Sequence, residues 1–195
     1  QSCYGLFFDK TQNVKYLDSV KFRCFETLAF PKKEKAKKEI IRSYVTLAGA
    51  YLSSKEYELG LIYCDSAIIF SDPELNKSQL HSAYYKAAQC YIELKFYKNA
   101  ISAADSSLKY ADSKSKKSNA IYRLYEANKA LGNFDKALFY HEQSKQLDEE
   151  VMLNDRMDIV TELEQKYNKS ENEKKISELN KEKEISGLRI KVLVF

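Results

Sequence analysis

Three stretches of this 195-residue chain carry one spaced pattern, and a repeat of that kind constrains the fold more than any single residue can. Tyr44-x2-Leu47-Ala48-x2-Tyr51-x5-Tyr57-x2-Gly60 aligns with Tyr84-x2-Ala87-Ala88-x2-Tyr91-x5-Tyr97-x2-Ala100. Both align with Ile121-x2-Leu124-Tyr125-x2-Asn128-x5-Phe134-x2-Ala137. Gly60, Ala100 and Ala137 are separated by 40 and then 37 residues. The pattern reads as helical hairpins in tandem, each unable to bury its apolar face alone and each covered by its neighbour.

Each offset has a physical reason. Small residues belong where two helix backbones approach: Ala48 and Ala88 on the first helices, Gly60, Ala100 and Ala137 on the second ones. Large rings fill the wider gaps between them. The expected core is therefore Tyr44, Leu47, Tyr51, Tyr57, Tyr84, Tyr91, Tyr97, Leu124, Phe134 and Ala137. Leu131-Gly132-Asn133-Phe134 reads as a tight helix–helix turn, since glycine accepts the left-handed conformation that ends a helix. Ser53-Ser54-Lys55-Glu56 and Leu94-Lys95-Phe96 stand at the same place in the first two units and read as weaker stops. Tyr125 and Asn128 depart from the small and aromatic residues of the other units, so the third hairpin is expected to pack differently.

Composition agrees with an all-helical chain. There are only two Pro and five Gly, and no strand-like alternation competes with the helical period. Lys and Glu are mixed throughout and the formal net charge is only +4, which does not imply a nucleic-acid surface. The four cysteines, at positions 3, 24, 64 and 90, have no Cys-x-x-Cys spacing and no nearby histidine. Cys64 and Cys90 fall on expected core faces and read as small buried hydrophobes, with a disulfide between them left open. No metal site and no cofactor is implied.

Three regions follow. Residues 1–31 form an N-terminal segment, helical from about Thr11 to Phe30 with Leu17, Val20, Phe25, Leu28 and Phe30 as anchors, which could be part of a leading repeat. Residues 32–147 hold the three hairpins. The basic run Lys32-Lys33-Glu34-Lys35-Ala36-Lys37-Lys38 reads as the solvated start of the first. Ser71-Asp72-Pro73-Glu74 supplies a cap and first turn for the second. Asp112 to Ser118 joins the second to the third. Residues 148–195 read as a long helix starting near Asp148, whose apolar residues are thinly spread among charges. Val151 to Tyr167 is expected to cover the last hairpin, and the remainder to form either a weak coiled coil that could pair two copies or a frayed helix.

The spacing resembles the tetratricopeptide repeat, a helix-turn-helix unit of about 34 residues with a W-x2-L-G-x2-Y…A-x3-F signature. The resemblance implies a right-handed solenoid of three hairpins with a long C-terminal helix. From Leu124 onward, Leu-Tyr-Glu-Ala-Asn-Lys-Ala-Leu-Gly-Asn-Phe-Asp-Lys-Ala-Leu, then Glu162-Leu163-Glu164-Gln165-Lys166-Tyr167, is similar to the sensor regions of bacterial membrane-bound signalling proteins. There the repeats lie outside the inner membrane, and a charged helix leads to one span and a histidine-kinase or helix-turn-helix output module. The resemblance therefore implies a periplasmic or extracytoplasmic location, membrane-anchored. Gly187-Leu188-Arg189-Ile190-Lys191 running into Val192-Leu193-Val194-Phe195 reads as the edge of such a span. Gln1-Ser2-Cys3, without an initiator Met, suggests a removed leader, and Cys3 could instead be a lipidated residue.

No catalytic grouping is legible. His81 and His141 lie far apart without a partner arrangement, and neither a phosphate loop nor H-E-x-x-H occurs. In tetratricopeptide arrays the first helices line a concave groove. Its offsets fall here on Arg42, Val45 and Gly49, on Ser82, Tyr85, Lys86 and Gln89, and on Asn119, Tyr122, Arg123 and Glu126. Two tyrosines among Lys, Arg, Gln and Asn suit an extended peptide or protein segment. Val45 and Gly49 stand where chaperone-binding members place the Lys and Asn of a carboxylate clamp. The expectation is a non-catalytic binding domain that passes a signal along the exit helix. The alternatives are a scaffold or assembly lipoprotein and an outer-membrane glycan-binding subunit.

Overall fold

A computed structural model describes residues 17–29 and 36–193, with side chains over 17–29 and 37–185. Among these residues every regular element is a helix: α1 (17–29), α2 (Ala36–Ser53), α3 (Tyr57–Phe70), α4 (Lys77–Glu93), α5 (Tyr97–Lys109), α6 (Lys114–Ala130) and α7 (Phe134–Leu193). From α2 to α6 consecutive helices pack in series, and α2 and α4, then α4 and α6, also touch directly. The backbones of α3 and α5 do not meet. The first helices thus form one layer, and the second helices lie along its other side. The chain divides into two compact units, Gln1–Asp148 and Glu149–Phe195.

The hairpins close through one turn, used three times. Glu56 N–H donates to the Tyr51 carbonyl at 2.9 Å, Phe96 to Tyr91 at 2.8 Å and Asn133 to Asn128 at 2.9 Å. In each case the residue before the donor is left-handed: Lys55 at φ 63°, Lys95 at φ 64° and Gly132 at φ 78°. A bond reaching back over a left-handed residue satisfies the orphan carbonyls at a helix end. Glycine adopts that conformation freely, whereas a side chain there costs about 1–2 kcal/mol. The first two turns are as complete as the third, and Lys55 and Lys95 bear that strain.

Small residues make the interior of the hairpins. Ala48, Ala87, Ala88, Ala103 and Ala104 form one buried cluster with Cys64 and Leu124, and Ile41, Ala67 and Ala83 form a second. At Gly60 a Cβ would lie 2.9 Å from Cys90 Sγ, so the glycine is what lets α3 sit against that thiol. Burial pushes both thiols up, Cys90 to about 11, and holds them as neutral hydrophobes. Leu47, Leu124, Ala100 and Ala137 are buried as expected. The tyrosines are not fully inside. Tyr44, Tyr51, Tyr57, Tyr84, Tyr91 and Tyr97 are half-buried at the rim, because a phenol keeps its hydroxyl near water or a polar partner. Tyr57 Oη donates to Glu93 Oε2 at 3.2 Å, and Tyr51 stacks on Tyr63 with centroids 5.2 Å apart.

Several expectations need correction. Phe134 is 71 % exposed, because no further hairpin in this unit lies beyond it. The long helix does not start near Asp148: α7 begins at Phe134, and the second helix of the third hairpin is its first part. Within α7, Met152, Leu153, Met157, Val160, Leu163 and Tyr167 are exposed and Val151 is half-buried. Asp72 does not cap α4. Its carboxylate accepts from Glu74 and Leu75 N–H, which lowers its pKa, and α4 begins at Lys77, behind Asn76.

α1 packs on the first hairpin through Lys21, which bonds Glu56 at 3.0 Å and lies 4.1 Å from the Tyr51 centroid, and through Phe25 against Tyr63. Its buried residue is Cys24, while Phe25 stays exposed. Phe30, the run from Lys32 to Lys35, Cys3 and the last two residues lie outside the described residues. Among the described residues no helix is long and apolar enough to cross a membrane.

Candidate functional site

The two histidines have different surroundings. His81 is 4 % exposed, and its Nδ1 lies 3.0 Å from both the Ser107 carbonyl and Ser107 Oγ. Ser107 Oγ donates to the His81 carbonyl at 3.1 Å, so the hydroxyl proton is committed to backbone and Nδ1–H donates to the Ser107 carbonyl. The pair closes on itself and ties α4 to α5. Burial lowers the His81 pKa, with the nearby Lys116 charge acting in the same direction, and keeps the ring neutral. His141 is exposed, its ring 4.9 Å from that of Tyr125. Among the described residues no group of His, Cys, Asp and Glu could hold a metal ion.

The expected groove residues lie on α2, α4 and α6, and the structure joins them into two groups. The first spans α4 and α6. Arg123 Nη2 donates to Tyr85 Oη at 2.8 Å, its Nη1 pairs with Glu126, and its guanidinium carbon lies 5.1 Å from the Tyr85 ring and 5.3 Å from the Tyr122 ring. Tyr85 is backed by His81, with ring centroids 6.2 Å apart. Arg123 Nε is buried without a hydrogen-bond partner. The arginine is thus a tie between helices, its charge already met by Glu126, and the cation–π contacts hold the rings in place. The second group spans α2 and α4: Lys86 Nζ occupies the space beside Gly49, where a Cβ would come within 2.8 Å of it.

The remaining expected residues stand apart. Ser82 Oγ donates to the Ser78 carbonyl at 2.9 Å, within its own helix. Gln89 is half-buried, Asn119 is exposed, and Val45 packs against the cluster of Ile41, Ala67 and Ala83. Arg42 lines a separate cavity of about 570 Å³ with Lys37, Lys38, Glu39 and Asp72.

Sequence reasoning missed the continuation of the aromatic row. Tyr125 lies 5.5 Å from Tyr122, and Lys129 Nζ donates to Tyr125 Oη at 3.1 Å while sitting 5.4 Å from its ring centre. The row therefore runs from His81 through Tyr85, Arg123, Tyr122 and Tyr125 to His141. The available signal was the departure at Tyr125, a ring where the other hairpins hold alanine. Asn128, the other departure, is buried because it satisfies its own amide: Nδ2 donates to the Leu124 carbonyl at 2.7 Å, and Oδ1 accepts from Asn133. Neither a protein-family model nor a curated protein sequence matches this chain.

Proposed function

We propose that this chain is a non-catalytic binding domain, built as a tetratricopeptide-type right-handed solenoid, that holds an extended peptide or protein segment on the face shared by α2, α4 and α6. The observation that carries this reading is the row of rings from Tyr85 to Tyr125 with Arg123 locked among them. Tyr122 is exposed and Tyr85 and Tyr125 are half-buried, and rings already fixed by their neighbours offer contact area at little cost in side-chain entropy. Because Glu126 meets the Arg123 charge, the face suits ring packing and backbone hydrogen bonding better than capture of a bare carboxylate.

The resemblance of the exit helix extends the proposal: the domain is the extracytoplasmic, membrane-anchored sensor part of a bacterial signalling or transcription-regulatory protein, and occupancy of the face biases α7. The test uses Tyr122, because Tyr85 also holds Arg123. Peptides selected on the purified chain from a random display library should lose roughly tenfold or more in affinity to a Tyr122→Ala variant whose thermal melt is unchanged. Equal affinity for the variant sinks the groove. A Gly-Pro-Gly insertion near Asn172 tests the coupling separately: binding should persist while the cellular response is lost.

A further inference from the structure

We propose that the cleft between α3 and α5 is a second binding site, one that takes the guanidinium or ammonium end of an arginine or lysine side chain carried by a partner peptide. Because the backbones of α3 and α5 do not meet, α4 forms a floor between them and leaves a cavity of about 170 Å³. Its polar lining is Asp65 from α3, Tyr84 and Tyr91 from α4, and Asn99, Ser102 and Ser106 from α5.

Charge decides the ligand class. Among the described residues Asp65 makes no hydrogen bond and no ion pair, although burial raises its carboxyl pKa and its charge contributes to raising those of the Tyr84 and Tyr91 phenols. Asp65 stands exposed at the cleft with no cation beside it among the described residues, and an incoming cation would offset the part of its solvation that the cleft removes. An anion would meet repulsion, and an apolar ligand would deepen the burial of the charge.

The walls suit a stem with a charged tip. Tyr84 is held by stacking on Tyr110, centroids 5.9 Å apart and planes 4° from parallel, and Tyr91 packs on the buried cluster of alanines. Such rings accept methylene groups along their faces and a cation near their centres. Ser106 Oγ donates its proton to the Ser102 carbonyl and so keeps its oxygen lone pairs free to accept from a guanidinium.

Register separates this cleft from the proposed groove and supplies a control. Tyr84 and Tyr91 lie on the side of α4 opposite Tyr85, Lys86 and Gln89, as helical periodicity requires. Asp105 holds the position of Asp65 in the second hairpin, and burial raises its carboxyl as well, but Ile121 and Asn128 stand there in place of Tyr84 and Tyr91.

The experiment titrates the isotope-labelled full chain with N-acetyl-arginine amide and N-acetyl-lysine amide and follows backbone amide shifts. Saturable shifts are expected around Asp65, Tyr84, Tyr91 and Asn99. Affinity should fall roughly tenfold or more for Asp65→Asn, and should be unchanged in Asp105→Asn and Tyr122→Ala. N-acetyl-citrulline amide, which has the shape of arginine without its charge, should not bind, and that comparison needs no variant. The proposal is overturned if no saturable shift occurs in the cleft, if citrulline binds as well as arginine, or if a folded Asp65→Asn chain binds equally. Putrescine binding much more tightly than either capped residue overturns the peptide side chain as the occupant.

Discussion

Where the first hairpin sets Ile41 near Ala67, the second sets His81 against Ser107 and the third Ser118 against Ser144. The two members of each pair are separated by the same stretch of chain, and all six residues are buried. One slot is therefore filled by dispersion, by a closed imidazole–hydroxyl pair, and by two hydroxyls with Asp148 Oδ1 accepting from Ser118 at 2.6 Å. The backbone geometry repeats while the chemistry inside it changes. The slot asks for matched volume and satisfied polar atoms, and does not ask for particular residues. The same holds where α3 meets α4. Gly60 leaves room for Cys90, while the corresponding positions one hairpin later are Ala100 and Ala127, both fully buried.

If volume matching governs these slots, residues can be exchanged in pairs but not singly. Gly60→Ala alone should destabilise the chain by about 1–3 kcal/mol, because its new Cβ meets a buried sulfur. Adding Cys90→Ala, which recreates the Ala100 and Ala127 pairing, should recover most of that loss in urea denaturation. Additive effects of the two changes would show that the positions do not face each other.

A similar exchange sharpens the polar slot. His81→Ile by itself removes the Nδ1–H donor to the Ser107 carbonyl and sets an apolar side chain against the Ser107 hydroxyl, and should cost about 1–3 kcal/mol, whereas His81→Ile with Ser107→Ala copies the first hairpin and should be close to neutral. The pair also carries a pH signature. Burial holds the His81 pKa below its ordinary value, so between the folded value and the unfolded value near 6.5 the unfolded chain binds more protons. Stability contributed by the neutral ring is present above that window and is lost as pH falls through it. Denaturation midpoints measured from about pH 7.5 down to pH 5 should drop in the parent chain, and the drop should shrink in the double variant. An identical decline in both would place the acid sensitivity elsewhere.

The smallest expected effect concerns the turns, which separate the first two hairpins from the third. Lys95→Gly relieves left-handed strain of about 1–2 kcal/mol and returns part of it as unfolded-state entropy, for a net gain of roughly 0.5–1 kcal/mol. A melting temperature that falls instead would mean that the Lys95 side chain holds the turn in some other way.

Much of the hairpin architecture was legible because it depends on residue size at fixed offsets. Ala48, Ala88, Gly60, Ala100 and Ala137 mark the close approaches directly, and Gly132 marks its turn. The rings were misjudged in one direction, since spacing places a tyrosine on the inner face but cannot say whether its hydroxyl ends at a rim. At the candidate groove, spacing selected the face that holds Tyr85, Tyr122, Arg123 and Glu126. It could not reveal that Arg123 closes on Glu126 and Tyr85, because that depends on where α4 and α6 cross.

By itself the sequence determined the helical period, the hairpin spacing and the sites of close backbone approach, since these follow from side-chain volume and local backbone preference within one or two turns of chain. Only the tertiary structure decided that Phe134 lies open, that α7 begins at Phe134, that His81 is spent on Ser107, and that Asp65 is left unpaired beside Tyr84 and Tyr91. Each of these depends on what a different helix brings within a few ångströms, and burial, pairing and charge compensation are properties of that meeting, which a single helix does not carry.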